Sequence, residues 1–242
     1  MENYISENLA YQYKEIGHVM FDTNDGIYDS FDDFRLILPI ANVTDKTPEQ
    51  KRTSTELTYQ DGKLDTTYAL RDDPIFNNRT VEYKFLMYPF LVDDREEMLD
   101  RIVNALHGRE LKVAYSKKPG YYLQGNVSVE ASDTDPGVQT VTVAVDAYPY
   151  YLAVAETSTT FKVSNGASIG YSLINSRKWV VPKITCQGKV VLTVNGISAT
   201  FENANSATNS DLVLRDGVNT INVTGQSADV NTITITYREG VL

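Results

Sequence analysis

A period of two constrains this chain more than any other feature of its sequence. Thr80-Val81-Glu82-Tyr83-Lys84-Phe85-Leu86-Met87 alternates polar and apolar side chains, and Val127-Ser128-Val129, Thr140–Val145, Val190–Val194 and Thr232–Tyr237 do the same. Successive strand residues point to opposite faces, so each run offers an apolar face to a core and a Thr, Ser or charged face to water. Half-buried antiparallel strands have this pattern. Turn signals separate the runs at Asp25-Gly26, Asp61-Gly62, Asp135-Pro136-Gly137, Asn195-Gly196 and Asp216-Gly217. Asn195-Gly196 is the strongest hairpin signal, because a type I′ turn needs positive φ at both central residues. The chain is therefore predicted to be mainly β. No internal repeat of about 20–50 residues is visible, which argues against solenoids and propellers.

One segment breaks the period. Asp93 is placed to cap a helix, and Asp94, Glu96 and Glu97 suit the positive end of its dipole. Met98, Leu99, Ile102, Val103 and Leu106 then share one face, and Gly108 stands where a C′ glycine belongs. Burying all five side chains would contribute roughly 8–15 kcal/mol gross, before conformational entropy is subtracted. Such a helix is expected to cover the open face of a sheet. The composition shifts at Tyr148-Pro149-Tyr150-Tyr151-Leu152, which sets two domains, 1–151 and 152–242. The second is all β, rich in Ser, Thr, Asn and Gly, and no long linker divides it from the first.

Charge and composition exclude several classes. With 22 basic against 32 acidic residues the net charge is −10. Nucleic-acid binding rests on Lys and Arg at phosphates, and no basic run supplies them, so stable nucleic-acid binding is not expected. Lys117-Lys118 is the one adjacent Lys pair, in an expected hairpin tip. No apolar run approaches the roughly 18 residues of a membrane span, and Met1-Glu2-Asn3-Tyr4 does not open a signal peptide. The lone cysteine, Cys186, agrees with folding in a cytoplasm.

A search for chemistry assigns no catalytic, cofactor-binding or metal-binding residue, and the chain is read as a protein other than an enzyme. His18 and His107 are isolated, and His107 reads as a cation at a helix C-terminus. Cys186 reads as a small buried hydrophobe in a strand. Asp22-Thr23-Asn24-Asp25-Gly26 resembles the start of a calcium loop, but its glycine comes one position early and its twelfth position is Asp33, so a hairpin is the better account. Asp29, Asp32 and Asp33 have a spacing that names no ion. Trp179 raises sugar stacking, against the reading of Trp179-Val180-Val181-Pro182 as a core or inter-domain strand. Tyr121, Tyr122, Tyr148, Tyr150 and Tyr151 read as protein-contact residues.

Several short signatures occur in order. Tyr28-Asp29-Ser30-Phe31-Asp32-Asp33-Phe34-Arg35-Leu36-Ile37-Leu38 resembles the "S-F/Y-D-D-F-G-L" opening of siphophage distal tail proteins, with Arg35 where glycine is usual. Gln60-Asp61-Gly62-Lys63-Leu64-Asp65 is similar to their "R-D-G-x-L-D" turn, with Gln60 for arginine. Asn78-Arg79-Thr80-Val81-Glu82-Tyr83-Lys84-Phe85 resembles "N-R-x-I-x-F-x-F", and Leu106-His107-Gly108 an "L-H-G" helix end. Pro119-Gly120-Tyr121-Tyr122-Leu123-Gln124-Gly125-Asn126-Val127 looks like "P-x-Y-Y-Y-x-G-R-V", with Asn126 for arginine, and Ala147-Tyr148-Pro149-Tyr150 like the exit from the first domain. In the last third, Pro182–Gly188, Val194-Asn195-Gly196 and Leu214–Val223 resemble a galectin-like sandwich.

The resemblance is to the adaptor of the tail tip or baseplate hub, of the kind found in phages of Gram-positive hosts. It implies an N-terminal β-sandwich or split-barrel domain with the one amphipathic helix, which forms a homohexameric ring, and a C-terminal galectin-like β-sandwich. The implied partners are further copies of the chain, the tail tube protein above, the tail-associated hub or lysin below, and receptor-binding proteins. No cofactor is implied, and no membrane. The expected location is the virion tail tip, after assembly in the bacterial cytoplasm. Acidic residues between Glu49 and Asp73 would then repel DNA from the wall of a central passage. The alternative function is a carbohydrate-binding tail module that contacts the host cell surface.

Overall fold

The structure, a computed structural model, describes residues 16–56, 58–59, 61–67, 73–88, 91, 94–135, 138–227 and 230–242. Asp93, Gln60, Pro136-Gly137 and the first four residues, which entered the expectations above, lie outside these. The chain divides into two compact units, Met1–Tyr151 and Leu152–Leu242.

The first unit is built on β1 (Val19–Thr23), β2 (Gly26–Asp29), β3 (Val43–Asp45), β4 (Ser54–Glu56), β5 (Lys63–Asp65), β6 (Arg79–Met87), α1 (Arg95–Leu106), β7 (Glu110–Tyr115), β8 (Tyr121–Asp135) and β9 (Val138–Ala147). Seven of these strands follow one path, β2-β1-β7-β8-β9-β6-β3, with every neighbour antiparallel. The alternation sets the register. Val129, Val143 and Tyr83 lie side by side across three strands, as do Val127, Val145 and Val81, and all six are buried. Gly125 faces Ala147 where β8 crosses β9. A Cβ there would lie 2.3 Å from Asp146 O and 2.4 Å from Ala147 Cα, so only glycine allows the approach.

Helix α1 packs against β8 and β1. Its cap is Asp94, one residue later than expected: Asp94 has extended backbone, and its carboxylate accepts from the Glu97 N–H at 3.1 Å. Ile102 and Leu106 are fully buried, while Met98, Leu99 and Val103 are only half-buried. The fully buried pair contributes about 3–6 kcal/mol gross, less than five buried side chains would. Gly108 follows the helix with φ of 72°. His107 follows the helix, and its Nδ1 accepts a hydrogen bond from the Val129 N–H at 3.0 Å, which ties the helix end to β8.

The second unit has two sheets. One contains β10 (Thr157–Val163), β12 (Lys183–Gln187) and β16 (Asn231–Tyr237), in the order β10-β16-β12. The other contains β11 (Ser168–Asn175), β13 (Lys189–Val194), β14 (Ile197–Glu202) and β15 (Gly217–Gly225), in the order β11-β15-β13-β14. Alternate residues of both sheets enter one core, including Phe161, Ile184, Leu192, Phe201, Val223 and Ile235. Cys186 is buried in that core on β12. The outward positions carry hydroxyls that bond across strands, Thr160 to Thr234 at 2.9 Å and Thr193 to Ser198 at 2.8 Å. Asn195 and Gly196 turn β13 into β14 with φ of 50° and 88°, both positive as the type I′ reading requires.

Candidate assembly surfaces

The Tyr28–Leu38 signature folds as a knot of local bonds. Asp29 Oδ1 accepts from the Phe31 and Asp32 N–H groups at 2.7 and 3.1 Å, and Asp33 Oδ2 accepts from the Asp29 N–H at 2.7 Å. Ser30 is fully buried, with Oγ accepting from the Val19 N–H at 3.0 Å. These carboxylates and the hydroxyl cap backbone amides, so the motif is a turn that seats Phe34, Leu36, Ile37 and Leu38 in the core. His18 Nδ1 lies 3.3 Å from Asp29 Oδ1. Arg35, where the resembling family carries glycine, has φ of 52°. The glycine preference thus has a physical cause in the left-handed backbone at that position.

The calcium-like stretch is a hairpin. Asp22 pairs with Lys112 at 3.1 Å and Asp25 with Arg109 at 3.0 Å, both at the surface. Among the described residues no group of three or more His, Cys, Asp or Glu side chains could hold a metal ion. No helix among them is long and apolar enough to cross a membrane.

A charged cluster lies inside the first unit. Arg79 is 3% exposed, and its guanidinium reaches both Asp45 oxygens at 3.0 and 3.3 Å. Tyr151 O–H donates to Asp45 Oδ2 at 2.8 Å. Two cations meet the Tyr151 ring, Arg79 at 4.7 Å and Lys118 Nζ at 3.2 Å from its centroid. Burial, then the Asp45 hydrogen bond, push the Tyr151 phenol above its ordinary range, and burial does the same to Tyr83. Burial holds the Lys118 ammonium below its ordinary value. Sequence reading missed this cluster, although one signal was present. Arg79 falls in phase with Val81, Tyr83, Phe85 and Met87 on the inward face of β6.

Two of the expected contact tyrosines are therefore unavailable. Tyr150 and Tyr151 are buried, Tyr150 with its ring edge-on to Phe76 at 6.2 Å. Tyr121 and Tyr122 are half-buried, and Tyr148 is exposed.

Strands β4 and β5 form a ribbon outside the main path. Ser54 pairs with Asp65 and Glu56 with Lys63, and every residue of both strands is exposed. The ribbon continues from a base where the Lys51 N–H donates to Ile75 O at 2.7 Å and the Asn77 N–H to Glu49 O at 2.8 Å. Tyr59, with φ of 71°, is fully exposed, and Leu64 and Ile75 are 52% and 44% exposed. A two-stranded ribbon has little stability of its own in water, and these three apolar side chains stand exposed on and beside it. The expected acidic stretch has mixed charge here. Lys51, Arg52 and Lys63 stand among Glu49, Glu56, Asp61 and Asp65, with Lys63 and Glu56 paired at 3.0 Å.

In the second unit Trp179 is half-buried beside a hollow, and the Arg215 guanidinium lies 5.2 Å from its ring centroid. The expected Trp179–Pro182 strand is a single bridge, Val180 to Leu214. Pro182 has no N–H to extend a ladder.

The arrangement defines a protein of predominantly antiparallel sheets in two units, of β-sandwich type. The same fold occurs in the crystal structure of SPP1 Dit (gp 19.1), a protein described as a paradigm of the hub adsorption apparatus in Gram-positive-infecting phages. The TM-score is 0.60 at 16% sequence identity, over 93% of this chain and 99% of that one. No protein-family model matches the chain, and no curated protein sequence matches it.

Proposed function

We propose that this chain is a structural protein of a phage tail tip, a distal tail protein that assembles as a homohexameric ring. The ring joins the tail tube to the tail-associated hub or lysin, and DNA passes through its centre. The first unit forms the ring. The second, a galectin-like sandwich, is the docking surface for receptor-binding proteins. The observation that carries the reading is the fold shared with SPP1 Dit over nearly the whole of both chains. The ordered signatures from Tyr28 to Tyr150 support it independently.

The β4–β5 ribbon supplies the physical route to a ring. A ring closes through heterologous contacts, each subunit's arm meeting a different surface on the next. Each contact must bury on the order of 1,200 Å² or more, and an exposed ribbon bearing Tyr59 and Leu64 contributes area without disturbing a core. With charge on the ribbon mixed, a slippery passage would take its acidity from other surfaces of a chain whose net charge is −10.

Light scattering and negative-stain images of the purified chain test the proposal. Six-fold rings are expected, alone or with the tail tube protein. The double variant Tyr59→Asp, Leu64→Asp is expected to stay monomeric with an unchanged circular dichroism spectrum. A wild-type chain that remains monomeric at every concentration, with and without the tube protein, would sink the reading.

A further inference from the structure

We propose that the hollow beside Trp179 is a saccharide-binding site, shaped for one neutral pyranose that presents two adjacent hydroxyls. The proposal is independent of ring assembly. The hollow has a volume of about 350 Å³, at the small end of ligand sites. Trp179, Val194, Ile197 and Val213 give it apolar walls, and Asp211 and Arg215 give it one carboxylate and one guanidinium. That combination suits a sugar, whose C–H face needs apolar surface and whose hydroxyls need bonding partners of both kinds.

The two charged groups are not committed elsewhere. Among the described residues the Asp211 carboxylate makes no hydrogen bond or ion pair, and the Arg215 guanidinium makes only its contact with the indole. They line the same hollow without pairing to each other. A carboxylate accepts from two neighbouring hydroxyls, and a guanidinium donates in a fork of the same span. Opposite charges side by side also leave little net field, which favours a neutral ligand over a phosphate or an amine.

The frame beneath is cross-linked by hydrogen bonds. Asn219, fully buried, accepts from the Arg215 N–H at 2.7 Å and donates to Arg215 O at 2.9 Å. Asn175 Nδ2 donates to Leu214 O and Arg215 O, each at 3.2 Å. The Asn195 amide donates to the same Asn219 Oδ1 at 2.8 Å and accepts from the Thr220 N–H at 3.0 Å. Arg215 is thus held by its backbone while its side chain lies over the indole. A ligand that meets ordered groups loses less of its binding energy to ordering them.

Trp179 is the only tryptophan of the chain, so its emission reports on the hollow directly. The 242-residue chain is titrated with the methyl glycosides of glucose, galactose, rhamnose and N-acetylglucosamine. At least one is expected to shift the emission saturably, with a dissociation constant of about a millimolar. Asp211→Asn and Arg215→Gln, both at exposed positions, are each expected to weaken that binding about tenfold with no change in melting temperature. The proposal is overturned if no glycoside shifts the emission, or if the shift survives both substitutions. It is equally overturned if a purified tail protein, and no glycoside, competes for these residues, because the hollow is then a protein-docking surface.

Discussion

The two units solve one problem in different ways. Each buries polar groups, but the first buries charge and the second buries amides. In the first, Arg79 is held by Asp45 and by the Tyr151 ring, which Lys118 also meets, so residues far apart in the chain depend on one ion pair. In the second, Asn175, Asn219 and Asn231 are each 1% exposed or less and bond to nearby backbone and side chains. A neutral amide carries a donor and an acceptor together and costs less to desolvate than a charge. Tolerance to loss of a partner therefore differs between the units, and so does response to pH.

The largest expected effect breaks the ion pair. Arg79→Ala strands Asp45 and Tyr151 and is expected to cost about 3 kcal/mol, the low end for a broken buried pair, because Asp45 keeps access to water. Asn219→Ala is the matching cut in the second unit, with an expected cost of about 2 kcal/mol for the backbone groups left unbonded. Urea unfolding separates the two, since Trp179 emission follows the second unit and helix ellipticity the first. If Asn219→Ala costs more than Arg79→Ala, the contrast between buried charge and buried amide fails.

Alkaline pH sharpens the same contrast. Tyr83 and Tyr151 have folded values raised above the ordinary 10.0, in both cases chiefly by burial. A raised value means that the neutral phenol is favoured by the fold. Its contribution is complete below pH 10 and is lost as pH rises above that, when the unfolded chain ionises first. Lys118 acts in the opposite sense, since its lowered value makes stability rise with pH below the ordinary 10.5. The second unit has one such phenol, Tyr237, also raised chiefly by burial. Above about pH 10 the first unit is expected to unfold before the second, with tyrosinate absorbance appearing alongside the loss of helix. Tyrosines that all titrate together while the helix signal holds would contradict this.

The sequence made much of this legible because the signals are local. Period two located β6, β9, β13 and β16, the 98–106 face located α1, and Asn-Gly and Asp-Gly placed turns. What escaped it was pairing at a distance. Nothing around Asp45 announces Arg79, 34 residues on. Lys118 reads as a solvated hairpin tip until Tyr151 is placed beneath it. Tyr150 and Tyr151 look like contact residues for the same reason, since only the fold supplies the neighbours that bury them. In the candidate site, Trp179 was singled out, but Asp211 and Arg215 were not. Their convergence with Trp179 on one hollow depends on the bridge from Val180 to Leu214, which no short window contains.

The smallest effect compares one backbone conformation in both units. Arg35 has φ of 52° and Asn195 has φ of 50°. Asparagine enters this left-handed region at little cost, and Asn195 also spends its side chain on Asn219 and the Thr220 N–H. Arginine has a Cβ penalty there. Arg35→Gly is therefore expected to stabilise the first unit by about 0.5–1 kcal/mol, the relief of strain less the added freedom of the unfolded chain. Arg35→Ala keeps the strain and removes only what lies beyond Cβ, so it isolates the contribution of the guanidinium. If glycine lowers the melting temperature as much as alanine does, the arginine contributes contacts that outweigh its strained backbone. In that case its presence in place of glycine is a gain for the turn rather than a tolerated cost.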